Sequence, residues 1–301
     1  MAVPAEVPGS LPEAAVRRFA DGAFTSGLSV PDFAACLQMG LEPVGFTQGY
    51  CVMQWQFYGM SPFGIASFGA QSGIRGYSET FSCPHGMVSS EHRAWGQNYE
   101  QAWVQDAWTA GFTSAYQRMV DEAAAAGAHG IVGIVDSSGP LADMGVAEFR
   151  IQGTAVRVVH GRPPADGRPW TTYLAGQRLA KLVEAGYAPV SVAASVASVR
   201  LWANCVTQYL TDGVTSMYGG ITQGAEIIQT AKARTMARRI VTDRVRRRLD
   251  DDSLHGAALS TVLRDLGEGD AEIECVLRGN RVRRVRAFDP VPPARPTVRL
   301  S

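Results

Sequence analysis

The sequence is short of cysteines and of charged residues, and each shortage argues against a class of protein. Its five cysteines are an odd number without a Cys-X-X-Cys pair, which argues against a secreted disulfide scaffold. Charged residues make up only 19% of the chain and the formal net charge is zero, which argues against a disordered chain and a strongly basic nucleic-acid binder. The first residues lack a basic start followed by an apolar segment, so we expect no signal peptide and a cytoplasmic protein.

Lysine is absent from residues 1–162, and charge is distributed unevenly between the two halves of the chain. Residues 1–162 carry 8 arginines and 14 acids, or 8 − 14 = −6, whereas residues 163–301 carry 20 basic and 14 acidic residues, or 20 − 14 = +6. Opposite charges favour packing of the halves on each other or on neighbouring copies. An undirected drift of charge along the chain is the equally weighted alternative. With 46% hydrophobic residues, the 301 positions have material for two domains.

Two segments of the chain carry the same pattern 174 − 28 = 146 positions apart. Residues 28–44 and 174–190 each have apolar residues at helical spacing, then a glycine, then Pro-Val. The glycine suits a helix end, where φ is positive, and Pro-Val leads into an extended run. We therefore predict a short helix followed by a strand, occurring twice.

The sequence after each of these strands also corresponds. A loop and a long helix are predicted next, at about 94–126 and 225–249, and the second helix has an arginine-rich face. In the first half, a strand at 131–135, a turn at 136–139 and a strand at 147–159 follow. In the second half, the closing strand is predicted at 271–285. Both closing strands contain one glycine, which indicates a bulge or a close backbone approach.

Several segments resemble the YbjQ-like family, whose domain is catalogued as heavy-metal-binding. The segments are Gly127–Ile134 after an alanine-rich helix, Gly153–Val156, and Gly219-Gly220 before Ala225-Glu226, Ala233-Arg234 and Ala237. The resemblance implies an α+β fold of two tandem dodecin-like β-α-β-β modules, each a small antiparallel sheet with one long helix. It also implies ring-shaped homo-oligomers, commonly pentameric. His129 departs from the family, which usually has an acid there, and so does the sequence at 250–256.

The repeat and the resemblance together give the predicted domain boundaries. They are an N-terminal extension at 1–23, a first YbjQ-like domain at 24–160 with a Gly/aromatic-rich insertion at 55–93, a linker at 161–170, a second, Arg-rich YbjQ-like domain at 171–288 and a Pro/Arg tail at 289–301. Each unit offers few strands, so it leaves an apolar face and unpaired strand edges. We therefore predict a homo-oligomer.

Residues 43–74 contain no charged residue. Six glycines and two prolines interrupt the stretch, so no transmembrane segment is predicted. A strand that runs into an aromatic loop at an oligomer interface and an ordinary buried loop are equally weighted interpretations. A contact with the surface of a membrane is a third, weaker one.

One group of residues is a candidate metal site: Cys83, His85 and His92. A thiolate with two imidazoles suits zinc or copper, and the fourth ligand would come from Glu91 or from another subunit. A surface loop with an incidental cysteine and two histidines is the favoured alternative. The other cysteines are expected to pack in the core.

Three further groups of polar residues have structural interpretations. His129 is predicted to cap the preceding helix as an imidazolium. Asp250, Asp251 and Asp252 are interpreted as a solvated turn rather than a cation site. The arginine-rich helix face and the arginines of the last strand are expected to meet an acidic protein partner, and no nucleic acid is expected because a nucleic-acid-binding motif is absent. The strand arginines are Arg281, Arg283, Arg284 and Arg286.

These features together predict a non-enzymatic, ring-forming binding or scaffold protein of the YbjQ-like family, without a catalytic or cofactor-binding residue. Two alternatives stay open. One is a heavy-metal-binding or metal-responsive protein that uses the 83–92 loop. The other is an enzyme with a site at subunit boundaries.

Overall fold

The computed structural model describes residues 25–54, 81–82, 88–89, 94–140, 146–159, 164, 167–211 and 226–286. It is a mixed α+β protein with two four-stranded sheets, which confirms the predicted α+β class. The elements in chain order are α1 (Val30–Gln38), β1 (Leu41–Gln54), β2 (Phe81–Ser82), β3 (Val88–Ser89), β4 (Asn98–Glu100), α2 (Ala102–Ala125), β5 (Gly130–Pro140), β6 (Val146–Val158), β7 (Trp170–Thr171), α3 (Gly176–Glu184), β8 (Tyr187–Leu201), α4 (Cys205–Thr211), α5 (Ile228–Arg247), β9 (Ser253–Gly267) and β10 (Asp270–Arg284).

The three long strands of each half are arranged in the same order in the two sheets. The first sheet has the order β1-β6-β5-β7 and the second β4-β8-β10-β9. All pairs are antiparallel except the short pair of β5 with β7. In each sheet, therefore, the last long strand of its half lies between the other two.

The short helices and strands predicted at the two repeated segments are present in the structure. Ser29 caps α1, since its hydroxyl oxygen accepts a hydrogen bond from the Asp32 N–H at 3.3 Å. Gly40 and Gly186 follow α1 and α3 with φ of 71° and 84°. Each glycine turns the chain directly into the long strand that follows, β1 or β8.

Three local predictions are wrong, and pairing between distant segments is the reason in each case. The first long helix begins at Ala102 rather than near 94, because residues 98–100 form β4 on the edge of β8. The predicted turn at 136–139 belongs to β5, which stays paired with β6 as far as Pro140. The end of the predicted linker, Trp170, forms β7 beside β5.

The core of the described residues consists of three apolar clusters, and two of them contain residues of both halves. Helix α2 covers the first sheet together with Ala194, Val196 and Val276 of the second half. Helix α5 packs on β8 and β10 in a cluster of its own. Cys36, Cys51 and Cys275 are buried, as predicted, whereas Cys205 is partly exposed. None of the described helices is both long and apolar enough to span a membrane.

Candidate assembly surface

A segment between the two sheets, residues 170–174, lies along the edge of β5. The Thr172 N–H donates to the Ile131 carbonyl at 2.9 Å, and the Thr172 carbonyl accepts from the Ile134 N–H at 3.1 Å. The Gly133 N–H donates to the Leu174 carbonyl at 3.0 Å. The segment thus satisfies backbone groups that an edge strand would otherwise present to solvent.

The buried amide of Asn280 in β10 also binds the same segment to the second sheet. The Asn280 side-chain oxygen accepts from the Tyr173 N–H at 2.7 Å and from the Thr172 hydroxyl at 2.8 Å. Its nitrogen donates to the His255 carbonyl at 3.1 Å. Residues 170–174 therefore connect the two sheets through hydrogen bonds on both sides.

Ion pairs also cross between the halves, and two examples among the described residues each join an acid of the first half to an arginine of the second. Arg278 Nε lies 2.6 Å from a carboxylate oxygen of Asp136, whose side chain is only 5% exposed. Arg244 pairs with Glu100. Burial and the Asp136 carboxylate raise the pKa of Tyr173 beside the first pair. The opposite charges of the halves therefore meet inside the chain.

Helix α2 faces β8 with a row of stacked aromatic side chains. The ring centroids of Trp108 and Phe112 lie 4.9 Å apart, and those of Phe112 and Tyr116 lie 6.3 Å apart. The row lines a groove of about 210 Å³ that also touches Val192 and Arg248. This contact between a helix of the first half and a strand of the second is mainly apolar.

Strand β9 is the exposed edge of the second sheet. It is 15 residues long, and residues 255–267 are all exposed. Large apolar side chains are exposed on it, with Val262 at 58% and Leu259 at 42%. Cross-strand pairing places these two on opposite faces, because Val262 lies opposite Glu274 and Leu259 opposite Leu277. A long, apolar, unprotected edge of this kind is a site for pairing with another chain.

The chain was compared with protein-family models and with known proteins. No family model matches the chain. The chain is 25% identical over 283 residues to an encapsulin nanocompartment protein of Mycobacterium tuberculosis, and the alignment covers 91% of each protein.

This similarity overturns the functional prediction. The predicted YbjQ-like binding or scaffold protein is wrong, since a relative over nearly the whole chain is a nanocompartment protein. The prediction was based on short Gly/Ala/Val motifs, which describe a helix-to-strand turn and not an activity. The resemblance to the YbjQ-like family itself stays a prediction.

The candidate metal ligands Cys83, His85 and His92 lie outside the described residues. Within the part of the chain that the structure describes, no three His, Cys, Asp or Glu side chains are grouped so that they could hold an ion. Zinc or copper binding by the 83–92 loop therefore stays a prediction. Most of the 55–93 insertion is likewise outside the described residues.

His129 has a different role from the predicted helix cap. Its Nδ1 accepts a hydrogen bond from the Val158 N–H at 3.0 Å, so this nitrogen carries no proton in the bond. The carbonyls of Ala126 and Gly127, just beyond the end of α2, instead accept from the Arg157 guanidinium at 3.4 Å. A strand arginine thus supplies the positive charge that the dipole of α2 favours.

The acidic protein partner expected for the strand arginines is not supported, because part of the set is bound within its own half. Arg281 Nε and Arg283 Nε lie 2.6 and 2.8 Å from the two carboxylate oxygens of Asp252. The Asp252 side chain is 4% exposed, so the interpretation of 250–252 as a solvated turn fails at this residue. The two arginines neutralise a buried acid, and an acidic partner protein is not supported for them.

The pKa of Asp252 gives a pH prediction. Hydrogen bonds from Arg283 and then Arg281 lower this pKa, against the opposing effect of burial. The stabilisation is complete above the unfolded carboxyl pKa of about 3.9 and is lost as the pH falls through the lower folded pKa. We expect Asp252→Asn to unfold at less urea than the wild type at pH 7, and the difference to shrink towards about pH 2.5. An equal difference at both pH values would contradict this.

Proposed function

We propose that the chain is a self-assembling subunit of a protein nanocompartment. The observation that carries the proposal is the exposed edge strand β9, since a monomer with such an edge is prone to pair with other chains. The nanocompartment relative, aligned over 91% of both proteins, supports the same function. Because every copy has the same edge, a second copy of the chain is the simplest partner for it.

We further propose that the two halves derive from one duplicated, dodecin-like module. Both halves have the element order helix, strand, helix, strand, strand, apart from short added elements. Both sheets place the last long strand of the half between the other two. The matching of the short helices at an interval of 146 positions supports this origin.

Assembly is tested by measuring particle mass in solution, with light scattering and electron microscopy. We expect the wild-type chain to form particles many times heavier than its 32.2 kDa. We expect Val262→Lys with Leu263→Lys, which places a charge on each face of β9, to shift the mass towards that of one chain while the circular dichroism spectrum stays unchanged.

The matched control is Val183→Lys, at an exposed apolar position on α3, and it is expected to leave the assembly intact. A wild-type chain that stays at 32.2 kDa at micromolar concentration would overturn the proposed function. Assembly of the double lysine variant as efficiently as the wild type would show that the apolar part of β9 around Val262 is not in the contact between chains.

A further inference from the structure

Equivalent positions in the two halves can be identified from shared contacts. Before α1, the Gly27 N–H donates to the Thr154 hydroxyl at 3.1 Å. Before α3, the Tyr173 N–H donates to Asn280 at 2.7 Å. Thr154 and Asn280 occupy the same place in β6 and β10, the central strands of the two sheets. The segment at 25–28 is therefore the counterpart of the segment at 171–174.

A backbone feature fixes the equivalence of β5 and β9. Gly133 and Gly256 have φ of 61° and 63°, and each lies at an irregularity in the pairing with the central strand. Val132 precedes the first and pairs with Thr154, while His255 precedes the second and pairs with Asn280. The edge of β9 around Gly256 thus corresponds to the edge of β5 that residues 170–174 cover.

The counterparts of the two surfaces that form the internal contact, residues 25–26 and the edge of β9, are accessible on the same molecule. Thr171 and Thr172 are buried against the first half, but their counterparts Thr25 and Ser26 are exposed and half-buried. Residues 255–257 of β9 are exposed, whereas Ile131 and Val132 of β5 are buried. Residues 25–28 therefore correspond to one side of the internal contact, and β9 corresponds to the other side.

The two residues of the ion pair between Glu100 and Arg244 also have equivalent positions in the other halves of the chain. Arg244 also donates to the Val196 carbonyl of β8, and Arg118 donates in the same way to the Tyr50 carbonyl of β1. Arg118 is therefore the counterpart of Arg244. Glu226, two residues before α5, corresponds to Glu100, two residues before α2. Arg118 and Glu226 are both exposed.

We infer that copies of this chain join head to tail by repeating the contact that its two halves make internally. Residues 25–28 of one copy lie along β9 of the next copy, with the Ser26 N–H donating to the Leu254 carbonyl and the Ala257 N–H donating to the Ser26 carbonyl. Arg118 of the first copy pairs with Glu226 of the next. This inference rests on the proposed self-assembly and names its interface.

The repeated contact differs from the internal one where α1 meets α3. A Cβ on Gly176 would lie 1.9 Å from the Asp32 carbonyl oxygen, so only glycine permits that approach. Val30 occupies the position corresponding to Gly176, and Pro31 follows it. The two helices are therefore farther apart between copies, and the β9 edge and the ion pair carry the contact.

A charge exchange tests the ion pair. We expect Arg118→Glu alone and Glu226→Arg alone to reduce the fraction of chain in assemblies severalfold, and the two changes together in one chain to restore it. Arg239→Glu, at an exposed position on α5, is the control and is expected to leave the assembled fraction unchanged. Failure of the combined variant to recover, with circular dichroism showing all variants folded, would overturn the pairing.

Cross-linking tests the direction of the contact. We expect a chain with both Ser26→Cys and Ala257→Cys, treated with a short bis-maleimide, to form a ladder of covalent dimers, trimers and larger species, because each copy offers one site at each end. A chain with either cysteine alone is expected to match the wild-type background. Covalent dimers without higher species would show a two-fold contact and overturn the head-to-tail arrangement.

The two proposals fail in distinguishable ways. A wild-type chain that stays a single 32.2 kDa species contradicts self-assembly itself. A wild-type chain that assembles, while the charge-reversed variants assemble equally well and the paired cysteines give no ladder, contradicts only the interface inferred from the internal contact.

Discussion

Replacing Arg278 with methionine is expected to lower the free energy of unfolding by about 3 kcal/mol, because the change leaves a buried carboxylate without its partner. Asp136 is 5% exposed, and Arg278 Nε is 2.6 Å from its carboxylate oxygen. The pair joins β5 to β10, so its loss affects the contact between the two halves. Urea unfolding in the Val262→Lys, Leu263→Lys background measures the change without a contribution from assembly.

Two variants separate this effect from a general loss of charge. Arg264→Met removes a pair with Glu272 in which the arginine is 62% exposed, and a change below about 1 kcal/mol is expected. Adding Asp136→Leu to Arg278→Met removes both charges and is expected to recover most of the lost stability. An Arg278 variant as stable as the Arg264 variant would show that the buried pair contributes little.

Replacing Gly49 with alanine is expected to cost about 3 kcal/mol or more, because the added methyl group has no space. Its Cβ would lie 1.9 Å from the Ala115 carbonyl oxygen and 2.8 Å from the Met119 nitrogen. Both are backbone atoms of α2, so a change of side-chain rotamer cannot relieve the overlap. The helix would have to move away from β1 and from the apolar cluster that it covers.

Gly139→Ala is the matched control, since a Cβ at this strand position meets nothing within 4 Å. A change within about 0.5 kcal/mol is expected there. Thermal and urea unfolding of the two alanine variants measure the comparison. Equal stabilities would mean that α2 can shift on the first sheet at little cost.

The sequence predicted the elements that local patterns encode. The glycine followed by Pro-Val located both short helices and the strands after them, and the stripe of small apolar residues located α5. Strands defined by distant partners were missed. Tyr99 fits a helical spacing with Trp95 and Trp103, yet it lies in β4 because it pairs with Arg200 of β8. Local periodicity contains no information about such a partner.

The exposed edge strand β9 was missed for a related reason. Residues 253–267 do not alternate between apolar and polar positions, because apolar side chains lie on both faces of β9. Alternation predicts a strand with one face in a core, and β9 has no such face within a single chain. The sequence predicted that strand edges would be left unpaired, and β9 is such an edge, but the sequence alone did not identify which strand it would be.

The hydrogen bonds on both sides of residues 170–174 have a mechanical consequence for any assembly. A bend between the two sheets would break the bonds of Thr172 to β5 or those of Asn280 to the segment, so the joint inside each chain is stiff. In the proposed assembly, the joints between copies would lack this covalent connection and the close helix approach at Gly176. Changes in curvature of such an assembly would therefore occur at every second joint.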